Sequence, residues 1–387
     1  MKIIHTADWH IGKIVNEFSM IDDQKFILNS LIELIKAEKP DVLVIAGDLY
    51  DRSIPPVEAV ELLDEVFCKI LLELKTPMLV IAGNHDGAER MSFASKLLIN
   101  NGLYIAGVFD GEVKKVALKD AFGPVNFYLL PYTDPRQVKH IYGEDNITNH
   151  DIAFKRIIEE INKTMNAKER NILIAHGYVT KIGEDEAVTS DSERPLSIGG
   201  TDIVNYENFT SFSYTALGHL HGPQRVGTEK IRYSGSLLKY SFSEVNHKKG
   251  ATIVEIDANG EALVSHKELL PKRDMRIIKG PINSLIDPLV YNEGNVDDYV
   301  YAILTDEGEL VDPISKLRAV YPNIMGLGRE NSEARETSRT AASSGYKSKS
   351  KVELFEEFLL SINGTTLSDE GRTVINEVVE EVSKEGY

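Results

Sequence analysis

The sequence predicts an α/β protein built on a parallel sheet, with a second sheet stacked against the first. Three observations predict it. Short β-branched runs alternate with helical periodicity through the first part of the chain. The middle turns strand-rich. Polar side chains of the metal-binding kind stand at the carboxyl ends of the apolar runs, where ligands gather in open α/β sheets.

The elements follow in order. Lys2–Ala7 reads as a short strand. From Met20 to Ala37 the spacing of Ile27, Leu28, Leu31, Leu34 and Ile35 is that of a helix with one apolar face. Asp41–Ala46 is a continuous apolar run, the pattern of a strand buried on both faces, and Pro77–Ala82 repeats it after a helix from Pro56 to Leu74. This βαβαβ order requires parallel pairing. Val125–Leu130, Asn171–Ala175 and Phe212–Leu217 are further strands, with a helix near Ile152–Met165. Ile231–Ser234 and Ala251–Ile256 add two more.

The chain has 387 residues, enough for two or three units with a substantial core. Its 42% hydrophobic and 27% charged composition is that of a globular protein, and no apolar stretch reaches membrane-span length. No signal segment precedes the first strand, so the expected location is cytoplasmic. The single cysteine, Cys68, excludes an internal disulfide framework and is read as a core thiol in an apolar run. A net charge of −17 argues against gripping nucleic acid by bulk charge alone. If DNA is the substrate, a partner supplies part of the cationic surface.

Five segments follow strand-like runs and carry metal ligands: Asp8-Trp9-His10, Gly47–Arg52, Gly83–Asp86, His176-Gly177, and Gly218–His221. Asp, His and Asn together, without Cys, suit Mn²⁺, Fe²⁺ or Zn²⁺. Two cations on a phosphoester need one shared ligand, and a carboxylate has two oxygens for it. Asp48 is the natural bridge, because Gly47 lets the chain turn sharply. Asp8 and His10 are alternate residues that point the same way on an extended segment, as are His219 and His221. Asn84 offers a neutral carbonyl. Trp9 either touches substrate or packs beside the ligand loop. Arg52 and Arg90 either contact phosphates or form structural salt bridges. His5, His140, His150, His247 and His266 lie outside the segments and are read as hydrogen-bonded or exposed.

Asp8-x-His10, Gly47-Asp48-x-x-Asp51, Gly83-Asn84-His85-Asp86, His176 and Gly218-His219-x-His221 resemble the signature of the calcineurin-like metallophosphoesterases. Within that superfamily the chain is similar to the SbcD-type nuclease subunits of DNA double-strand-break repair. Met1–Gly12, Gly47–Pro56, Tyr233–Ser236 and Phe242–Glu244 carry this closer likeness. The resemblance implies two stacked mixed β-sheets flanked by helices, and two divalent metal ions, Mn²⁺ first among them. Asp8, His10, Asp48 and His221 would hold one metal. Asp48, Asn84, His176 and His219 would hold the other. His85 would assist the leaving 3′ oxygen, with Asp86 orienting it. Archaeal and eukaryotic relatives carry His where this chain has Asp51, so any role of that His in placing DNA does not transfer.

On this reading residues 1–268 form the nuclease domain and 269–327 a small α+β capping, DNA-binding domain. Residues 328–351 form a flexible linker and 352–387 a helical tail. The linker is polar and lacks apolar periodicity. The tail carries two apolar helical stripes, Leu354 to Ile362 and Val374 to Val382, and nine acidic residues against two basic ones. It folds back on the body or docks on a partner's helices, and the linker favours the partner. The resemblance implies 3′→5′ exonuclease action on duplex DNA and endonuclease action on hairpins or blocked ends. An activated hydroxide would attack the phosphodiester. The implied assembly is a nuclease homodimer within a heterotetramer, with an SbcC-like coiled-coil ATPase that binds the ATP, associated with the nucleoid when it acts on DNA. The alternative is a small-molecule or protein phosphoesterase on the same metal core.

Overall fold

Residues 42–46, Val-Leu-Val-Ile-Ala, have no polar side chain and are buried at every position. A strand of that kind needs apolar partners on both faces, and the architecture supplies them. In the computed structural model, the described residues are 1–181, 187–193, 196, 202–307 and 310–330, with 355, 356, 371, 372, 374 and 375.

Two six-stranded sheets dominate. The first runs, in spatial order, Ala262–Glu268, Gly250–Ile256, Lys2–Thr6, Val42–Ala46, Met78–Ile81 and Leu103–Ala106. Its last four strands are parallel and the first two are antiparallel. The second runs Gln224–Val226, Thr228–Tyr233, Tyr214–Gly218, Arg170–His176, Gly123–Leu130 and Lys114–Asp120. Its inner strands are parallel and its edges antiparallel. This is the stacked pair of mixed sheets that the family likeness implies.

The period of two along each strand sorts the side chains into three apolar layers. Val42, Val44, Leu79 and Ile81 pack with Phe127, Leu129, Ile172 and Ile174 between the sheets. Leu43, Ile45 and Val80 point outward, against Ile27, Leu31 and Ile35 of helix Ile21–Glu38 and Leu62 and Val66 of helix Val57–Cys68. Tyr128, Leu173 and Leu217 point the other way, against Phe154, Ile157 and Ile161 of helix His150–Thr164. Cys68 is exposed, which corrects the core assignment. It stands two residues past the buried Val66, about 200° round the helix.

A third sheet, with Tyr299–Leu304 between Met275–Gly280 and Ile324–Arg329, has its own small core around Val300, Ala302, Leu317 and Tyr321. It is pinned to helix Ile21–Glu38. The buried Asp23 carboxylate accepts Arg273 Nε at 3.0 Å and Nη2 at 2.5 Å, and the Tyr299 hydroxyl at 2.8 Å. Contacts divide the chain into two units, Met1–Gly328 and Arg329–Tyr387. The linker expected from 328 begins inside the strand Ile324–Arg329, and residues 331–351 and most of the tail lie outside the described residues. Within the second unit Arg372 pairs with Glu356, Nη2 to Oε2 at 2.5 Å. Among the described residues, no helix is long and apolar enough to cross a membrane.

Arg170 ties the second sheet's edge hairpin to its centre. Its guanidinium grips Asp120 with two bonds, 2.8 and 2.6 Å, and donates to the Gly123 carbonyl at 2.8 Å. The Arg170 hydrogen bonds hold the Asp120 carboxyl well below the usual carboxylate range. A depressed carboxyl contributes stability above the unfolded value of about 4 that is lost as pH falls toward the folded value. Arg170→Ala leaves Asp120 with the Met1 ammonium at 2.8 Å, so it is expected to cost about 1.5–3 kcal/mol at pH 7 and to soften the decline in stability below about pH 4. Urea unfolding at pH 7 and pH 3 checks both, and an unchanged acid slope would refute the assignment.

Candidate metal centre

The functional segments gather where both sheets present the carboxyl ends of their parallel strands. Asp8 follows Lys2–Thr6, Asp48 follows Val42–Ala46, and Asn84 and His85 follow Met78–Ile81. His176 and Gly218 are the last residues of their strands and lie opposite each other in parallel register. The loops are stitched together: Asp8 N–H donates to Gly47 O at 3.0 Å and His10 N–H to Asp48 O at 2.9 Å.

The backbone here is strained. Asp8, His10, Asp48 and His219 have φ of 55°, 46°, 53° and 112°. Left-handed conformations in non-glycine residues cost on the order of 1 kcal/mol or more each and persist only where surrounding structure imposes them. This corrects one expectation. Asp8 and His10 do not converge as alternate residues on an extended segment. Each is turned inward by its own left-handed twist. His219 and His221 diverge: His219 Nδ1 lies 3.3 Å from Asn84 Oδ1, whereas His221 Nε2 lies 3.0 Å from His10 Nε2.

Three glycines make the close approach feasible. A Cβ on Gly47, whose φ is +94°, would sit 2.3 Å from His176 Nδ1. One on Gly83 would sit 2.1 Å from Asp48 Oδ1, and one on Gly218 1.9 Å from the Ala46 carbonyl.

All seven predicted metal ligands come together in one buried cluster. Asp8, His10 and His221 form one triad whose ligand atoms lie within 4.8 Å of one another, Asp8, Asp48 and His176 form a second, and His10, Asp51 and His85, the last two not among the expected ligands, form a third. Asn84 Oδ1 lies 2.9 Å from His176 Nε2. Asp48 Oδ2 lies between the groups, 3.7 Å from His10 Nε2 and 3.5 Å from His176 Nε2.

The donor set fits divalent cations on a specific ground. His176 Nδ1 faces the Ala46 carbonyl at 2.8 Å and must carry a proton to bond it. In the neutral ring Nε2 then holds a lone pair, aimed at the oxygens of Asn84 and Asp48. Acceptors facing acceptors repel unless positive charge lies among them. Without a metal, a proton takes that place. Burial disfavours the charged His176 ring, but Asp48, by charge and hydrogen bond, outweighs it and raises the ring to about 9. Burial works against the Asp48 anion too, yet the His176 charge holds its carboxyl well below the usual range. Burial lowers His10 and His219, so these rings are neutral and ready to ligate.

His85 is nearly buried, and its ring packs edge-on to His10 with centroids 4.7 Å apart. Its N–H donates to Asp48 Oδ1 at 2.9 Å and its Nδ1 to the Asp51 carbonyl at 2.9 Å. Asp86 does not hold the ring. Its carboxylate accepts the backbone N–H groups of Gly83, Leu49 and Tyr50 at 2.9, 3.2 and 3.0 Å, so it shapes the two ligand loops. Burial and the Asp48 charge push the Asp86 carboxyl up to about 7 against those amides. Arg52 and Arg90 are exposed, and Arg52 Nε lies 3.7 Å from Asp51 Oδ2. Trp9 is buried edge-on to Phe67 and donates to Thr6 Oγ1 at 3.1 Å, so it packs beneath the ligand loop.

Several participants had no sequence signal. Gln24 Nε2 donates to the His10 carbonyl at 2.7 Å and lies 3.0 Å from the Tyr240 hydroxyl, supporting the loop from below. Ser192, Glu193 and Lys249 surround His221, and no spacing ties them to it. Glu244, with them, stood in the Phe242–Glu244 stretch but without a role. Of the histidines outside the segments, His5 is hydrogen-bonded to Tyr214 and Leu217, His266 to Lys248, and His140 is exposed.

Residues 1–223 match the calcineurin-like phosphoesterase family. Residues 271–362 match the SbcD C-terminal domain, described as the type 5 capsule protein repressor C-terminal domain. Among solved structures, a dimetal phosphatase from Danio rerio aligns at 12% identity over 69% of this chain and 98% of its own, with a TM-score of 0.40. A protein from Thermus thermophilus aligns at 9% identity over 68% and 98%, with a TM-score of 0.37.

The proton on His176 makes metal uptake pH-dependent. Coordination needs a neutral His176 Nε2 and an ionised Asp8, whose carboxyl is itself raised well above the usual range by burial, so at pH 7 binding should release at least one proton and affinity should fall as pH is lowered below about 9. Titration calorimetry with Mn²⁺ in buffers of different ionisation enthalpy measures the release. Uptake with no proton released would show that His176 is not the charged member.

Proposed function

The chain belongs to the calcineurin-like phosphoesterases, hydrolases of phosphoester bonds, and on that premise we propose that it is the nuclease subunit of a DNA-end-processing complex. One observation carries the choice of DNA among phosphoesters: the match to the SbcD C-terminal domain over residues 271–362, on the same chain as the buried Asp and His donor cluster. The proposed activities are 3′→5′ exonuclease on duplex ends and endonuclease on hairpins or blocked ends. The partner is an SbcC-like coiled-coil ATPase, and the nuclease acts as a homodimer within that assembly in DNA repair, recombination and replication.

Two divalent cations, Mn²⁺ by preference, would supply Lewis-acid charge for the phosphate and a lowered pKa for the attacking water. Asp8, His10, Asp48 and His221 would hold one, and Asp48, Asn84, His176 and His219 the other. The position of Asp48 Oδ2 between the groups suits the shared role. His85 then acts on the substrate. Its Nδ1 is committed to the Asp51 carbonyl, so Nε2 is the atom left to pass a proton to the leaving 3′ oxygen. The Asp86 carboxylate holds the Gly83 and Leu49–Tyr50 amides, and through them the loop that presents His85. Trp9 and Tyr240 are buried beneath the ligand loop, Tyr240 edge-on to the His10 ring.

Mn²⁺-loaded protein should cleave linear duplex DNA in preference to nucleotides and phosphopeptides. His85→Ala should keep two bound metals and lose about 10²- to 10⁴-fold in kcat. A clear preference for phosphomonoesters would replace the nuclease reading, and full activity of His85→Ala would remove that residue from the chemistry. Deleting residues 352–387 should abolish partner binding while leaving Mn²⁺-dependent phosphodiester cleavage largely intact. Retained partner affinity in a pull-down would place the docking surface elsewhere.

A further inference from the structure

His221 is gripped at every polar atom but one. Its N–H donates to Glu193 Oε1 at 2.6 Å, and its carbonyl accepts Lys249 Nζ at 2.7 Å. Its Nδ1 lies 2.6 Å from Ser192 Oγ. Among the described residues Nε2 meets only another ligand of the first metal group, His10 Nε2 at 3.0 Å.

Behind Ser192 stands a buried ion pair. Glu244 is fully buried and Lys249 nearly so, with Nζ 2.5 Å from Glu244 Oε2. Lys249 also donates to Ser236 Oγ at 2.9 Å. The Ser192 hydroxyl hydrogen-bonds to the other Glu244 oxygen, Oε1. Hydrogen counting then sets the direction. A carboxylate paired with an ammonium only accepts. Ser192 has one proton and gives it to Glu244, its closest acceptor; the Ser190 hydroxyl, 3.1 Å from Ser192 Oγ and itself within reach of Glu244 Oε1, has its own proton to give, so the Ser192 oxygen accepts from His221 Nδ1–H. The ring is thereby fixed as the tautomer with a lone pair on Nε2.

We propose that Glu244 and Lys249, acting through Ser192, are positioning residues that set the tautomer and aim of His221, and with them the affinity of one of the two cation positions. The inference rests on the two-metal reading above. The physical case is one of cost. A buried ion pair seldom stabilises a fold more than apolar residues of the same volume would. A carboxylate coupled to a ligating imidazole raises the basicity of that ring and fixes its orientation, and losing such a partner weakens metal binding by about 10- to 100-fold. The other group is supported differently: His176 uses the Ala46 carbonyl, a neutral acceptor. The two cation positions should therefore respond separately.

The test is Mn²⁺ titration of the metal-free full chain, followed by electron paramagnetic resonance and calorimetry. Ser192→Ala should weaken one of two Mn²⁺ sites by about 10- to 100-fold and leave the other within about twofold. Ser192→Thr keeps the hydroxyl and should restore both. Glu244→Gln strands the Lys249 charge, so the matched variant is Glu244→Gln with Lys249→Met, which should lose the same single site. Wild-type affinity at both sites in Ser192→Ala overturns the proposal. So does equal weakening of both sites with a lowered unfolding temperature of the metal-free protein. Failure of the unaltered chain to take up two Mn²⁺ ions would instead overturn the two-metal reading, and the relay with it.

Discussion

The structure depends on an unfavourable arrangement: acceptor atoms of Asp8, Asp48, Asn84 and four histidines turned toward one another in a buried space at the carboxyl ends of two sheets. Left alone such a cluster would repel itself, since low-polarity surroundings strengthen like interactions and penalise unmatched charge. Positive charge inside it is the remedy, and the neighbouring features serve that end. The left-handed twists at Asp8, His10, Asp48 and His219 aim the acceptors inward. Gly47, Gly83 and Gly218 let the backbones come close enough. Three apolar layers hold the strand ends rigid enough to maintain the strain.

Outside the cluster, the surrounding groups divide the work by chemistry. Backbone carbonyls fix His176 and His85, backbone amides fix Asp86, and side chains fix His221. Backbone partners come with the fold and need no particular residue type. Side-chain partners do need one, and so are the positions where substitution tunes the site without dismantling it.

Much of this was legible in the sequence. Unbroken apolar runs such as Val42–Ala46 can only be strands covered on both faces, and the alternation with helices fixed parallel order. The donor residues stood out because each closes a strand. What the sequence could not carry was direction. Alternate spacing suggested that Asp8 and His10 point together because the chain is extended there, yet it is twisted at both. Asp86 follows His85 in sequence, but its carboxylate turns back to three amides of the ligand loops. Contacts across 29 to 52 residues, as from Ser192 to His221 and Glu244, leave no period to read. Cys68 was misplaced because an apolar neighbourhood in sequence is not one face of a helix.

Helix Ile21–Glu38 joins two distant parts of the first unit at consecutive residues. Asp23 is clamped by Arg273 and Tyr299 of the small sheet, and Gln24 holds the His10 carbonyl and the Gly12 N–H, the latter at 2.9 Å. No loop lies between the two grips. The small sheet and the ligand loop are thereby anchored to one helix a single peptide bond apart, so the two share one foundation.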